Sequence, residues 1–187
     1  MTVPVREALQ ASLPHMIEEL QRVLQLEIPS EWELVRVPAS SLRVDEELKR
    51  HVSVISPRWT NVVYLVRTTP ILSPAVLHEH YTRWAEGLGE SMHGSRVNVE
   101  NTKRNRDGVL YVGSCRSMAR QRIRQHAGTR NRRTYALHLR EWIDDLPRSV
   151  DFAYIVLGDR VSSLQLQAIE DSLWDYYHPL FGKRGAH

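Results

Sequence analysis

The segment from residue 109 to residue 127 constrains the fold most, because a strand pattern changes to a helix pattern across a short turn. An apolar run ends in Tyr111-Val112-Gly113, and a turn containing several small residues follows. From residue 117 the apolar positions repeat at helical spacing. We therefore expect a strand that leads directly into a helix, with a tyrosine near the end of the strand.

The helix predicted over residues 117–127 has charged and polar residues on its inward side. On a helical wheel, Arg122 and His126 fall among the apolar residues, whereas Arg120 and Arg124 point to solvent. An inward guanidinium needs an anionic partner. For His126 the alternative is a core histidine with ordinary hydrogen bonds.

The last predicted helix, residues 161–177, has a similar anomaly. Glu170 falls among its apolar residues, whereas Asp171 and Asp175 lie on the polar face. A carboxylate in an apolar environment must be paired with a cation, protonated, or used for binding or catalysis. The alternative to a metal-binding role for Glu170 is a structural ion pair with an arginine.

The basic residues are concentrated around these motifs. Residues 103–140 contain eleven Lys and Arg against one acid, Asp107, in a chain whose net charge is only +3. Ten of the eleven are arginine, which favours forked contacts with phosphate, so the band predicts a polyanionic partner. The alternative is a solvated face without a partner. We predict that DNA is contacted by Lys103, Arg104, Arg116, Arg120, Arg124, Arg130, Arg132 and Arg133.

The other hydrophobic patterns complete the predicted secondary structure. Residues 5–26 predict an amphipathic helix that packs on its own domain or pairs with a second copy. Further helices and strands are predicted as follows: helices over 74–88 and 134–145, and strands over 32–37, 61–67, 109–112 and 152–157.

This order of elements predicts an α+β fold. We expect a small three-stranded, mainly antiparallel sheet flanked by helices, with the strand at 61–67 paired to the one at 109–112. The predicted organisation is an N-terminal helical extension over residues 1–60 and a domain over residues 61–187, with a helical insert at about 68–107.

Cysteine usage and hydropathy indicate where such a chain would work. Cys115 is the single cysteine, so a disulfide framework within the chain is excluded and a reducing compartment is expected. No apolar stretch approaches the roughly 20 residues that span a bilayer. We therefore expect a cytoplasmic protein without a membrane partner.

The residues singled out above resemble the GIY-YIG nuclease superfamily. Tyr111-Val112-Gly113 resembles the second half of its signature, and Val62-Val63-Tyr64 is the best match for the first half. Arg122 and His126 match the Arg and the His or Tyr of the helix that follows. Glu170 matches the glutamate that binds metal in this family.

The resemblance covers about residues 61–185 and has three departures. The first half-motif lacks glycines, and the distance from Tyr64 to Tyr111 requires an insert. Pro179 matches the proline that commonly follows the glutamate, but Gly182 stands where the family usually has Asn. The resemblance therefore implies the family's fold with an inserted segment and without the side-chain contact of that Asn.

The family resemblance also implies a function, a metal-dependent endonuclease that hydrolyses DNA phosphodiester bonds. By this resemblance Glu170 and the phosphate would hold one divalent ion, Mg²⁺ or another such as Mn²⁺. Tyr64 or Tyr111 would be the general base, and the residues alone do not choose between them. Arg122 would neutralise the phosphoryl oxygens, and His126 would hydrogen-bond the nucleophile or a tyrosine.

Three functional hypotheses follow. The first is a restriction or phage-defence nuclease, in which residues 1–60 and the insert recognise the target. The second is a catalytically inactive nucleic-acid-binding module of the same fold. The third is a scaffold whose N-terminal helix self-associates and whose arginines bind an acidic protein. Cleavage of both strands of a palindrome would require a two-fold homodimer, for which the helix at 5–26 is the candidate contact.

Overall fold

A sheet of four antiparallel strands lies at the centre of the chain, whose computed structural model describes residues 5–87, 97–129, 135–143 and 147–185, with side chains from residue 12 onward. The order across the sheet runs from the first strand through the fourth and second to the third. The predicted α+β class is confirmed, and the predicted number of three strands is wrong. The strands are β1 (Glu33–Pro38), β2 (Val62–Thr69), β3 (Val109–Cys115) and β4 (Ser149–Val156).

The strand missing from the predicted sheet is β1, which comes from the segment expected to be a helical extension. It pairs with β4, with Val35 opposite Phe152 and Val37 opposite Val150. Val35 and Val37 are buried and Arg36 between them is exposed, the alternation of a strand with one face on the core. A short run of this kind predicts a strand, but its partner lies more than a hundred residues away and leaves no local signal.

The central strand is β2, and its position explains its composition. It pairs with β4 on one side and, as predicted, with β3 on the other. Residues Val62 to Val66 are all buried. A strand with neighbours on both edges and helices on both faces has no solvent side, so it reads as a continuous apolar run.

The helices lie on the two faces of this sheet. Tyr64 and Val66 of β2 face a core that includes Ile123 and Trp142, whereas Val63 of β2 faces a second cluster that includes Leu166. No helix in the described parts of the chain is both long and apolar enough to cross a bilayer. The helices are α1 (Val5–Val23), α2 (Asp45–His51), α3 (Pro74–Glu86), α4 (Ala119–Ala127), α5 (Leu139–Trp142) and α6 (Ser163–Tyr177).

The helix predicted over residues 134–145 is largely wrong. His138 has a left-handed backbone (φ +51°), and the helix α5 spans only Leu139–Trp142. A residue in this conformation cannot continue a right-handed helix. Residues 130–134 and 144–146 lie outside the described residues. The helix α2 was not predicted.

The helix α6 is well specified by its sequence. Ser162 accepts a hydrogen bond from the backbone N–H of Gln165, and the Gln165 side chain accepts one from the backbone N–H of Ser162. This capping box satisfies two donors at the start of the helix. The Gln165 side chain also donates to the Glu19 carbonyl, and the Ser162 hydroxyl donates to the Glu19 carboxylate, so α1 is held beside α6.

Candidate active site

The pairing of β2 with β3 brings the two motif tyrosines together. Tyr64 lies opposite Gly113 in the register, and the rings of Tyr64 and Tyr111 stack with centroids 6.2 Å apart. A Cβ at Gly113 would lie 2.6 Å from the Tyr111 ring and 2.8 Å from the Tyr64 hydroxyl. The glycine of this motif is therefore required for space between the tyrosines.

The helix α4 adds Arg122 and His126 to the same side of the sheet. Ile123 and His126 have no exposed surface, and Arg122 is half-buried. The inward orientation predicted for Arg122 and His126 is confirmed. The ring centroid of His126 lies 4.4 Å from that of Tyr111 and 5.5 Å from that of Tyr64.

Two donors converge on the hydroxyl oxygen of Tyr64. The backbone N–H of Leu137 donates to Nδ1 of His126 at 3.3 Å, so the ring proton is on Nε2. Nε2 then donates to the Tyr64 oxygen at 3.0 Å, and Nε of Arg122 donates to the same oxygen at 3.3 Å. Because both lone-pair positions of this oxygen are used, the hydroxyl proton of Tyr64 is directed away from Arg122 and His126.

The burial of this cluster sets its protonation state. Burial lowers the pKa of His126 well below 6.5, and the charge of Arg122 adds to this effect. Burial also raises the pKa of Tyr64 well above 10, against the opposing charge of Arg122. At neutral pH the imidazole and the phenol are therefore both uncharged, and Arg122 carries the charge of the cluster.

The hydrogen bonds of Arg122 with other described residues go to uncharged acceptors. Besides the Tyr64 oxygen, its guanidinium donates to Oε1 of Gln125 at 3.1 Å and to the backbone carbonyl of Tyr135 at 3.1 Å. These contacts fix the side chain without neutralising its charge. Such a guanidinium is oriented in advance for an anion.

Glu170 lies on α6, which packs on the face of the sheet opposite to the one that carries Tyr64. Its side chain is 4% exposed, and Oε2 accepts a hydrogen bond of 2.5 Å from the hydroxyl of Ser114 on β3. Burial raises the pKa of Tyr111, and the negative charge of Glu170 raises it further. Burial is the main cause that raises the pKa of Cys115 to about 11, and the charge of Glu170 adds to the increase. The charge of the predicted carboxylate therefore acts on Tyr111, while its hydrogen bond is with Ser114.

Ser114 is a member of this site that the sequence reasoning missed. It directly follows the Tyr-Val-Gly motif, and successive strand residues point to opposite faces. Because Gly113 faces Tyr64, Ser114 faces α6, where Glu170 lies. The alternation within the motif was the signal that could have identified it.

The donor set at Glu170 restricts the kind of metal that could bind. Among the described residues there is no group of three or more His, Cys, Asp or Glu side chains that could hold an ion. Zinc sites normally need such a group. Mg²⁺ keeps several waters and binds through one or two carboxylates plus substrate phosphates, so the oxygen donors here fit that ion.

The residues predicted to contact DNA occupy different environments. Lys103, Arg104 and Arg116 are exposed. Arg120 is not free in solvent as the wheel predicted, since its guanidinium donates to the carbonyls of Ser53 and Ile55 at 2.7 Å each. Arg124 is half-buried. The remaining three lie outside the described residues, namely Arg130, Arg132 and Arg133.

A scan of protein-family models and searches of curated proteins and of solved structures gave no match to this chain.

Proposed function

We propose that this chain is a metal-dependent endonuclease of the GIY-YIG type that hydrolyses DNA phosphodiester bonds. The observation that carries the proposal is the convergence of Arg122 and His126 on the Tyr64 hydroxyl, with Tyr111 beside them. Besides burial, the charge of Glu170 raises the pKa of Tyr111. The five residues come from β2, β3, α4 and α6, and their types suit phosphoryl transfer.

Arg122 binds the scissile phosphate in this proposal. Its charge acts on both tyrosines, and its hydrogen bonds go to neutral groups. Charge that develops on the phosphoryl oxygens is stabilised most by a donor that is already oriented. Gln125 and the Tyr135 carbonyl hold the guanidinium in place before DNA binds.

Tyr64 is the general base in this proposal. Its oxygen receives the N–H groups of Arg122 and His126, which would both stabilise a phenolate. In this step the phenol first loses its proton to solvent, which burial disfavours and the charge of Arg122 favours. The phenolate then takes a proton from the attacking water, whose oxygen bonds to phosphorus as the bond to the 3′ oxygen breaks. His126 stays neutral because its pKa is low, and its Nε2 proton keeps pointing at Tyr64.

Glu170 is the residue that would hold the divalent ion. Such an ion, Mg²⁺ or Mn²⁺, would supply positive charge to the scissile phosphate and to the leaving 3′ oxygen. Ser114 orients the carboxylate by donating to Oε2. The carboxylate is buried, so its oxygens have few competing water contacts.

The rest of the chain would supply DNA recognition and assembly. Lys103, Arg104 and Arg116 are exposed cations for the DNA backbone, and residues 1–60 and the insert are the candidates for reading the target. A cytoplasmic restriction or phage-defence nuclease must recognise its DNA target in this way. For a homodimer, the contact would be formed by the exposed apolar residues of α1, which are Leu13, Met16, Ile17 and Leu20. The mass in solution, measured by light scattering, tests whether the chain is a dimer.

The deciding experiment compares wild type with Glu170→Gln on supercoiled plasmid in the presence of Mg²⁺. Glutamine keeps the shape of the side chain and the acceptor for Ser114 but removes the negative charge. We expect wild type to nick or linearise the plasmid and the variant to be slower by about 100-fold or more. The matched control is Asp175→Asn, an exposed carboxylate on the same helix, which should cleave like wild type.

The same experiment separates the competing hypotheses. If wild type retards DNA on a gel but never cuts it, the chain is the inactive binding module of the second hypothesis. If it does not retard DNA at physiological salt, the scaffold hypothesis is favoured. Equal cleavage by wild type and Glu170→Gln would remove Glu170 from the mechanism.

A further inference from the structure

Two glycines bound the Tyr111 ring on opposite edges. A Cβ at Gly182 would lie 2.7 Å from Cε2 and 3.0 Å from Cδ2 of that ring. A Cβ at Gly113 would lie 2.6 Å from Cε1, on the other edge. Real Cβ atoms do not approach other heavy atoms this closely, so both positions require the absence of a side chain. We call this pair, Gly113 and Gly182, the glycine slot.

The backbone that carries Gly182 is held firmly. The Pro179 carbonyl accepts hydrogen bonds from the side-chain amides of Asn98 at 3.2 Å and Asn101 at 2.8 Å. The N–H of Phe181 donates to the Leu110 carbonyl at 2.8 Å, so this segment lies along the start of β3. Because two separate sets of hydrogen bonds fix it, the backbone at Gly182 cannot retreat cheaply from an added methyl group.

The partly exposed ring of Tyr111 is bounded by other residues of the site. Gly113 lies on its far edge, the His126 ring centroid is 4.4 Å away, and the Tyr64 ring is stacked beside it at 6.2 Å. A side chain at Gly182 would therefore push Tyr111 toward the residues that form the proposed site.

We infer that Gly182 is a positioning residue, which fixes the Tyr111 ring between itself and Gly113. The consequence for cleavage rests on the proposed function; the ring placement does not. It also explains why Gly182 stands where the resemblance predicts Asn. An Asn there would meet the Tyr111 ring, so in this chain the glycine serves the site instead of weakening it.

The chain contains a glycine that separates ring contact from backbone strain. Gly158 also has a positive φ, +64° against +96° for Gly182, but nothing lies within 4 Å of a Cβ built on it. An alanine at either position suffers the unfavourable backbone conformation. Only the alanine at Gly182 also meets Tyr111, so Gly158→Ala is the matched control.

The test uses the full chain with ¹³C-labelled tyrosine and needs no DNA. The resonance that disappears in Tyr111→Phe identifies Tyr111 among the seven tyrosines. We expect Gly182→Ala to shift that resonance and Gly158→Ala to leave it in place. In the cleavage assay we expect kcat of Gly182→Ala to fall by about 10-fold or more with KM for DNA unchanged, because a small misplacement of a site residue slows the chemistry.

An unchanged Tyr111 resonance in folded Gly182→Ala would overturn the inference, as would an equal shift in Gly158→Ala. If Gly182→Ala fails to fold, the double variant Gly182→Ala/Tyr111→Ala decides. It should fold, since the smaller residue removes the clash, and a double variant that stays unfolded while Tyr111→Ala folds refutes the ring contact. If wild type does not cleave DNA, the proposed function fails, while the resonance still tests the placement of Tyr111.

Discussion

Two clusters on the sheet each combine arginine with a buried polar side chain, and they differ in whether the arginine has a carboxylate partner. In the first, Asp151 on β4 has no exposed surface and accepts from Arg36 at 2.7 and 3.0 Å and from Thr69 at 2.8 Å. Arg67 lies 3.4 Å from the same carboxylate. In the second, the acceptors of Arg122 within the described part of the chain are uncharged.

The difference teaches which arginine is available for a ligand. At Asp151 the buried charge is already paired within the chain, so this cluster joins β1, β2 and β4 and needs nothing further. At Arg122 the cation is oriented but its charge is not matched by its hydrogen-bond partners. An arginine held in this way gains most from an incoming phosphate. The presence of a carboxylate partner for the arginine thus separates a structural cluster from a candidate site.

The largest expected effect is on catalysis and comes from replacing one arginine from each cluster by glutamine. Arg122→Gln should slow plasmid cleavage by about 100-fold or more, because it removes the donor proposed to stabilise the phosphoryl oxygens. Arg67→Gln should leave cleavage of the folded protein near the wild-type rate, since Arg67 contacts Asp151. Rates are measured under single-turnover conditions. Equal losses of cleavage rate in the two variants would mean that the lack of a carboxylate partner does not identify the catalytic arginine.

The next largest effect is on stability, and here the substitution is in the Asp151 cluster. Asp151→Asn leaves Arg36 and Arg67 without their carboxylate. Breaking a buried pair costs about 3–5 kcal/mol, and we expect about 2 kcal/mol here because the two arginines are 53% and 38% exposed. Urea unfolding measures the loss. The control Asp159→Asn, an exposed carboxylate, should change the free energy of unfolding by less than about 0.5 kcal/mol.

The pH dependence of the Asp151 contribution follows from its pKa. Burial alone would raise this pKa, but the hydrogen bonds from Arg36 and Thr69 and the nearby positive charges lower it below its usual value. The stabilisation is therefore complete above the unfolded pKa of about 4 and is lost as the pH falls through the lower folded pKa. In Asp151→Asn this acid-dependent component should disappear, while the loss of stability at pH 7 remains.

The helices and strands that have a strong local hydrophobic pattern could be predicted from the sequence. The wheel placed Arg122 and His126 inward correctly because α4 is short, regular and packed through Ile123. It misplaced Arg120, whose guanidinium donates to carbonyls that precede β2 by only a few residues. Contacts of this kind depend on where a loop passes, and loops leave no periodic signal.

The parts that sequence reasoning missed depend on long-range pairing. The partner of β1, the contact of Ser114 with Glu170 and the position of Gly182 beside Tyr111 each join residues that are far apart in the chain. Composition and spacing identified the participating residue types for Glu170 and Tyr111. They contained no information on the hydrogen bonds that hold the segment after α6 against β3.

The smallest expected effect is the contribution of His126 to the pH dependence of stability. Its pKa in the folded chain lies well below 6.5 because it is buried, with Arg122 nearby. Below about pH 6.5 the unfolded chain therefore binds a proton that the folded chain does not. The free energy of unfolding should fall by up to about 1.4 kcal/mol per pH unit from this residue as the pH decreases.

His126→Gln isolates that contribution, because the amide can donate to Tyr64 but does not titrate. Urea unfolding of wild type and His126→Gln between pH 5 and pH 8 should give two curves that converge at the acidic end, with wild type losing stability faster. His15→Gln, which removes an exposed imidazole, is the control. Parallel curves for wild type and His126→Gln would mean that His126 takes up its proton while folded. In that case Nδ1 would be protonated and could no longer accept from the N–H of Leu137, and the cluster around Tyr64 would contain two cations instead of one.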